Sequence, residues 1–102
     1  LAVTTRARFS GLPEVPTAIE QGLDIESSFW SALLGPAGLP RPIVNKLNQE
    51  VNQYLDSADG RGKLIGLGAQ PIGGPPEGVS SMIATDSAKW KRIIDSSGAK
   101  LD

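Results

Sequence analysis

An α/β fold of a single domain is what this sequence predicts, and three observations predict it. Two long stretches, residues 43–55 and 79–94, carry apolar side chains at helical spacing. Two shorter runs, residues 1–5 and 25–34, are apolar or β-branched enough to be strands. The two kinds of segment alternate along the chain instead of falling into separate blocks. At 102 residues, 39% of them hydrophobic, the length suits one unit with a modest core.

"LAVTT" opens as a short strand, and the polar, turn-rich "RARFSGLPEVP" after it is a surface crossing. "TAIEQG" then supplies a capping box. The Thr17 hydroxyl can accept from the Glu20 N–H while the Glu20 carboxylate returns to the Thr17 N–H, and Gly22 closes a short helix. Residues 25–34, "IESSFWSALL", mix serine with Ile25, Phe29, Trp30, Leu33 and Leu34 on both alternating faces, the pattern of an inner strand covered on two sides. In such a strand Phe29 and Trp30 point to opposite faces, so only one of them can face a cleft.

From Pro42 the apolar residues Ile43, Val44, Leu47, Val51, Tyr54 and Leu55 form one stripe, with Asn45, Asn48, Gln49 and Asn52 mostly off it. This is the clearest helix in the sequence. Leu64, Ile65 and Leu67 suggest a short second helix despite Gly60, Gly62 and Gly66, each costing about 1 kcal/mol against alanine when internal. "AQPIG" is a short extended piece. Helical spacing resumes at Val79, Met82, Ile83, Trp90, Ile93 and Ile94, led in by Pro75 and Pro76 and stopped at Gly98. Trp90, on that stripe, is expected in the core, and the tail "AKLD", residues 99–102, is expected to add a final short strand.

Charge and residue inventory narrow the function. Ten basic and eleven acidic residues leave a net charge of −1, with no basic field to draw nucleic acid or an anionic membrane. Neither cysteine nor histidine occurs, which removes Cys–His pairs, Ser–His–Asp triads and zinc sites of the ordinary ligand types. No catalysis and no cofactor are expected. No run of eighteen apolar residues is present, and the opening on a strand-like segment without an initiating Met is that of a processed product or a fragment.

Several motifs in order, "LAVTT", "LPEVPTAIEQGL", "SSFWSALLGPAGLPRPIVNKLNQEVNQYL", "LGAQPIGG" and "KWKRIIDSSGAKLD", resemble the C-terminal portion of the tripartite tricarboxylate transporter substrate-binding proteins, the Bug receptors. The resemblance covers essentially the whole chain. It implies part of a periplasmic-binding-protein-like, Venus-flytrap lobe: short strands with two long helices packed on the sheet, and residues 1–5 as a hinge-type strand. Residues 1–102 would then be a single α/β unit, roughly a third of a two-lobed solute receptor. The implied role is periplasmic capture of a small carboxylate, a di- or tricarboxylate or a related acid, and its delivery to a membrane permease. Phe29, Trp30 and Ser31 stand where the family has a tryptophan, a second aromatic and a glycine.

With a carboxylate implied, Ser27, Ser28 and Trp30 are the candidate ligand-binding residues. The two serines could donate to a carboxylate at the strand edge, and Trp30 could present a cleft-facing indole. The plainer readings are solvated strand serines and a packed aromatic. "GPAGLPRP" aims a helix N-terminus at the end of a strand, but Pro36, Pro40 and Pro42 delete amides that an anion would need. Arg6 and Arg8 could fork onto a carboxylate, although a solvated surface role is the plainer reading, and Asp86 with Lys89 has the spacing of a surface ion pair. The rival to the receptor is a stand-alone α/β module with no solute affinity of its own, self-associating as a homodimer or by strand exchange through exposed sheet edges.

Overall fold

The computed structural model describes residues 1–100, and its regular elements are three helices. Helix α1, Arg41–Asp56, starts as its prolines dictate: Pro40 is the N-cap, and Pro42 sits in the first turn, where its missing N–H would be unpaired in any case. It ends at Ser57, whose N–H donates to the carbonyls of Gln53 and Tyr54. The same residue begins α2, Ala58–Gly66, its hydroxyl accepting from the Gly60 N–H at 3.0 Å. One serine therefore closes one helix and opens the next, and α1 packs against α2.

Helix α3, Glu77–Ser97, follows Pro76 and stops at Gly98, which takes the left-handed conformation at φ 68° and donates to the Ile94 carbonyl. Pro76 is thus the N-cap and not the first helical residue. Glu77 occupies the first turn, where a negative charge complements the helix dipole. Its carboxylate pairs with Arg41, tying together the starts of the two long helices, which do not otherwise pack on each other.

The capping box at Thr17 forms in both directions. The Glu20 N–H donates to Thr17 Oγ1 at 3.1 Å, and the Thr17 N–H donates to Glu20 Oε2 at 2.7 Å. What it caps is a single turn rather than a helix, terminated by Gly22 at φ 85°. Val3 bridges in parallel to Thr17, with the Val3 N–H on the Pro16 carbonyl and the Ala18 N–H on the Val3 carbonyl. Ser27 lies along the other side of the same segment: its N–H donates to Thr4 at 2.9 Å, and its carbonyl accepts from Thr4 Oγ1 at 2.7 Å.

These bonds are all that appears of the expected sheet. Neither residues 1–5 nor residues 25–34 form a strand, and the Val3–Thr17 bridge is the one bridge among the described residues. The sheet of the α/β expectation is not formed among the described residues, for a physical reason. A helix satisfies its own backbone, whereas a strand exists only beside a partner, and no described segment pairs its backbone with residues 28–35. "AQPIG" is likewise irregular. The tail strand expected over residues 99–102 falls partly outside the described residues; residues 99 and 100 carry no regular structure.

The expected core is also missing among the described residues. Thr17, Ala18 and Gly60 are the buried ones, while most of the apolar stripe of α1 and Ile83, Ile93 and Ile94 of α3 remain open to solvent. The accessible surface is 8054 Å², against about 5,500 Å² for a folded monomer of this mass. The radius of gyration, 16.7 Å, exceeds the roughly 13 Å of a compact chain of this length. The helical stripes face outward because nothing described covers them.

Two asparagines organise the return toward α3. Asn52 Oδ1 accepts from the Gly74 N–H at 2.9 Å, while its Nδ2 donates to the Gly74 carbonyl at 3.0 Å. Asn48 Nδ2 also donates to that carbonyl. A side-chain amide thus does for Gly74 what a neighbouring strand would do, and Gly74, at φ 142°, has the backbone freedom to present both groups at once.

Candidate functional site

A groove of about 610 Å³ lies between residues 27–30 and one face of α3. Ser27, Ser28, Phe29 and Trp30 form one wall; Ile83, Asp86, Ser87 and Trp90 form the other. The helical wall follows from spacing, since residues 83, 86, 87 and 90 fall on successive turns of one face. Ser27 is held by its two hydrogen bonds to Thr4, which fixes where the opposite wall begins.

The two walls are joined by Trp30 Nε1, which donates to Asp86 Oδ2 at 2.5 Å. Below this bond, Lys89 Nζ donates to the Glu26 carbonyl at 2.5 Å and stands 5.6 Å from the centre of the Trp90 ring. The expected Asp86–Lys89 ion pair therefore does not form, because each residue takes a partner from residues 26–30. Trp90 is not core either: it is 41% exposed and lines the groove.

All three sequence-derived candidates reach the groove, but in different states. The backbone of Ser27 is already engaged, leaving its hydroxyl. Ser28 has both hydroxyl and N–H without a partner among the described residues. Trp30 is half-buried with its indole N–H committed to Asp86, so the ring offers an apolar face and not a donor. Phe29 and Trp30 both line the groove, against the expectation that one would point away; the strict alternation of a strand does not apply to an irregular segment. Ile83, Asp86 and Ser87 were not among the candidate ligand-binding residues of the sequence, although the face they share with Trp90 was there to be found.

The remaining charged candidates are engaged elsewhere. Arg8 forks onto Glu20, with Nε 3.0 and 3.1 Å from the two carboxylate oxygens and Nη2 at 2.9 Å, while Nη1 donates to the Pro13 carbonyl. The Arg8 hydrogen bonds and the Thr17 N–H together hold the Glu20 carboxyl down to about 2. Arg6 pairs with Glu26 at 3.3 Å. At the "GPAGLPRP" junction, the hydrogen bond from Arg41 holds the Glu77 carboxyl below its ordinary value, so the anion at the start of α3 is the protein's own. Among the described residues no acidic cluster is placed to hold a metal ion, and no helix is long and apolar enough to cross a membrane.

The sequence model of the tripartite tricarboxylate transporter family receptor matches residues 1–99. The chain belongs to this family. A protein from the tcbD–tcbE intergenic region of a Pseudomonas species is 35% identical over 96 residues, covering 92% of this chain and 29% of that protein. BugT of Bordetella pertussis is 30% identical over 102 residues, covering 99% of this chain and 31% of BugT. Among solved structures, R. palustris Rpa4515 with adipate matches with a TM-score of 0.84 at 35% identity, over 96% of this chain and 33% of that one. The chain thus spans about 30% of the length of the curated relatives it matches. The resemblance of the sequence to the family's receptors is borne out, and receptors, not enzymes, are what the family comprises.

Proposed function

We propose that this chain is part of an extracytoplasmic receptor for a small carboxylate, forming one wall of the cleft and handing the solute to a membrane permease. The observation that carries the reading is the match, at 35% identity and a TM-score of 0.84, to a protein solved with the dicarboxylate adipate. The periplasm is the compartment that fits such a receptor, and a two-lobed closing protein is the architecture in which one wall makes sense.

Within that reading the wall is residues 27–30. The Ser28 hydroxyl and N–H, with the Ser27 hydroxyl, are free donors for a carboxylate, and the Trp30 ring offers a surface for an aliphatic body. Asp86 repels an anion brought close to it, so a carboxylate sits toward Ser28 and away from the Trp30–Asp86 bond. One wall with a fixed negative charge holds no dicarboxylate alone; the opposing donors belong to the rest of the receptor.

The test is a chimaera in which this chain replaces the matching third of Rpa4515, assayed by calorimetry with adipate and with a series of di- and tricarboxylates. Saturable binding, weakened in Ser28→Ala and Trp30→Ala, supports the reading. A monodisperse chimaera with native-like circular dichroism that binds none of these acids refutes it.

A further inference from the structure

We propose that Asp86 is a specificity-determining residue of the groove, selecting small carboxylates whose far end carries a cationic nitrogen over those that end in a second carboxylate. This role presupposes the receptor reading, in which residues 27–30 and α3 border the cleft, and adds to it the charge of the solute's second end.

Of the eight residues that line the groove, Asp86 is the one that bears a charge. Its side chain is half-buried, and no basic side chain among the described residues forms an ion pair with it. Oδ2 accepts from Trp30 Nε1, a neutral donor that leaves the carboxylate's charge in place, and Oδ1 has no hydrogen bond among the described residues. The nearest cations in sequence are placed elsewhere. Lys89 Nζ donates to the Glu26 carbonyl, and Lys89 and Arg92 border a separate depression along α3.

The rest of the lining suits a cation as well. Phe29, Trp30 and Trp90 bring three aromatic rings to the same groove, and the negative faces of such rings attract an ammonium within about 6 Å. Trp90 already takes one in this way, with Lys89 Nζ 5.6 Å from its ring centre. A solute ammonium donating to Asp86 Oδ1 gains a charge-assisted hydrogen bond, while the carboxylate at its other end meets the Ser28 hydroxyl and N–H. A second carboxylate in the ammonium's place meets repulsion from Asp86 instead. The preferred solute is therefore an amino carboxylate with an aliphatic body between its two charges.

Calorimetry on the chimaera with Rpa4515 tests this with three acids built on one six-carbon chain: 6-aminohexanoate, hexanoate and adipate, which end in an ammonium, a methyl and a carboxylate. Asp86→Asn keeps an acceptor for Trp30 and removes the charge. It is expected to weaken 6-aminohexanoate and tighten adipate, shifting the ratio of their dissociation constants by at least about tenfold, with hexanoate little changed. Ser87→Lys sets a cation on the same wall without altering either partner of the Trp30–Asp86 bond, and is expected to shift the ratio in the same direction. Because the remainder of the chimaera is common to all variants, such a shift belongs to this wall. A ratio that either variant leaves unchanged overturns the proposal. So does a parallel loss for all three acids in Asp86→Asn, which is what a purely structural Asp86 would give. A folded chimaera that binds none of the acids overturns the receptor reading, and this role with it.

Discussion

Two glycines in the same short helix are expected to respond to alanine with opposite sign. A Cβ built on Gly60 meets the Tyr54 carbonyl oxygen at 2.0 Å, its carbon at 3.0 Å and Ser57 Oγ at 3.1 Å. The first two are backbone atoms of α1, so relief requires the helices to separate at their corner. That movement also pulls on Ser57, whose hydroxyl accepts from Gly60 and donates to Tyr54 at 2.7 Å. Overpacking costs about 1–3 kcal/mol and a lost cap about 1 kcal/mol, while alanine's helix propensity returns about 1 kcal/mol. Gly60→Ala is therefore expected to destabilise by about 1–3 kcal/mol. Gly62, two residues on, has no atom within 4 Å of its Cβ position, and there Ala stabilises by about 0.5–1 kcal/mol. Urea unfolding of the two variants and the parent, followed by far-ultraviolet circular dichroism, measures both. A Gly60→Ala chain as stable as the parent would refute the steric account of the corner.

Other perturbations probe the contacts that hold the chain together. Asp86→Ala should release Trp30, red-shifting its fluorescence and costing about 1 kcal/mol, whereas Asp86→Asn keeps an acceptor and should restore the parent spectrum; equal spectra for the two variants would contradict this. Glu20, held at about 2 in the folded chain against an ordinary 4.5, contributes stability that is complete above the ordinary value and lost as the pH falls through about 2. Nuclear magnetic resonance titration should show that Arg8→Ala moves the Glu20 carboxyl back up, and Glu20→Gln should abolish this acid-side loss. Asn52→Ala removes both hydrogen bonds that its amide makes to Gly74 and should cost about 1–3 kcal/mol, with faster hydrogen exchange at the Gly74 N–H, whose acceptor is Asn52 Oδ1; unchanged exchange would contradict that bond.

How far the sequence could be read depended on the distance over which each feature is decided. The Thr17–Glu20 capping box, the proline-led start of α1, the glycine stop of α3 at Gly98 and the existence of α2 all rest on groups within a few residues of one another, and all are present. The same reading reached Ser27, Ser28 and Trp30 through a family resemblance, and the structure brings them to one groove. It missed Asp86 as the partner of Trp30 because a bond between residues 56 apart has no local signature. It passed over Asn48 and Asn52, which lie off the apolar stripe and whose role appears only where Gly74 meets them.

By itself, then, the sequence determined the three helices α1, α2 and α3 and the family, though not that the capped segment after Thr17 is only a turn, because a helix closes its hydrogen bonds within its own turns and a motif survives in the order of its residues. Tertiary structure alone decided that residues 25–34 stay irregular, that Trp90 borders a groove instead of filling a core, and that the walls meet through Trp30 and Asp86. Strand and core are properties of a segment together with whatever covers it, and no local pattern of side chains supplies that cover.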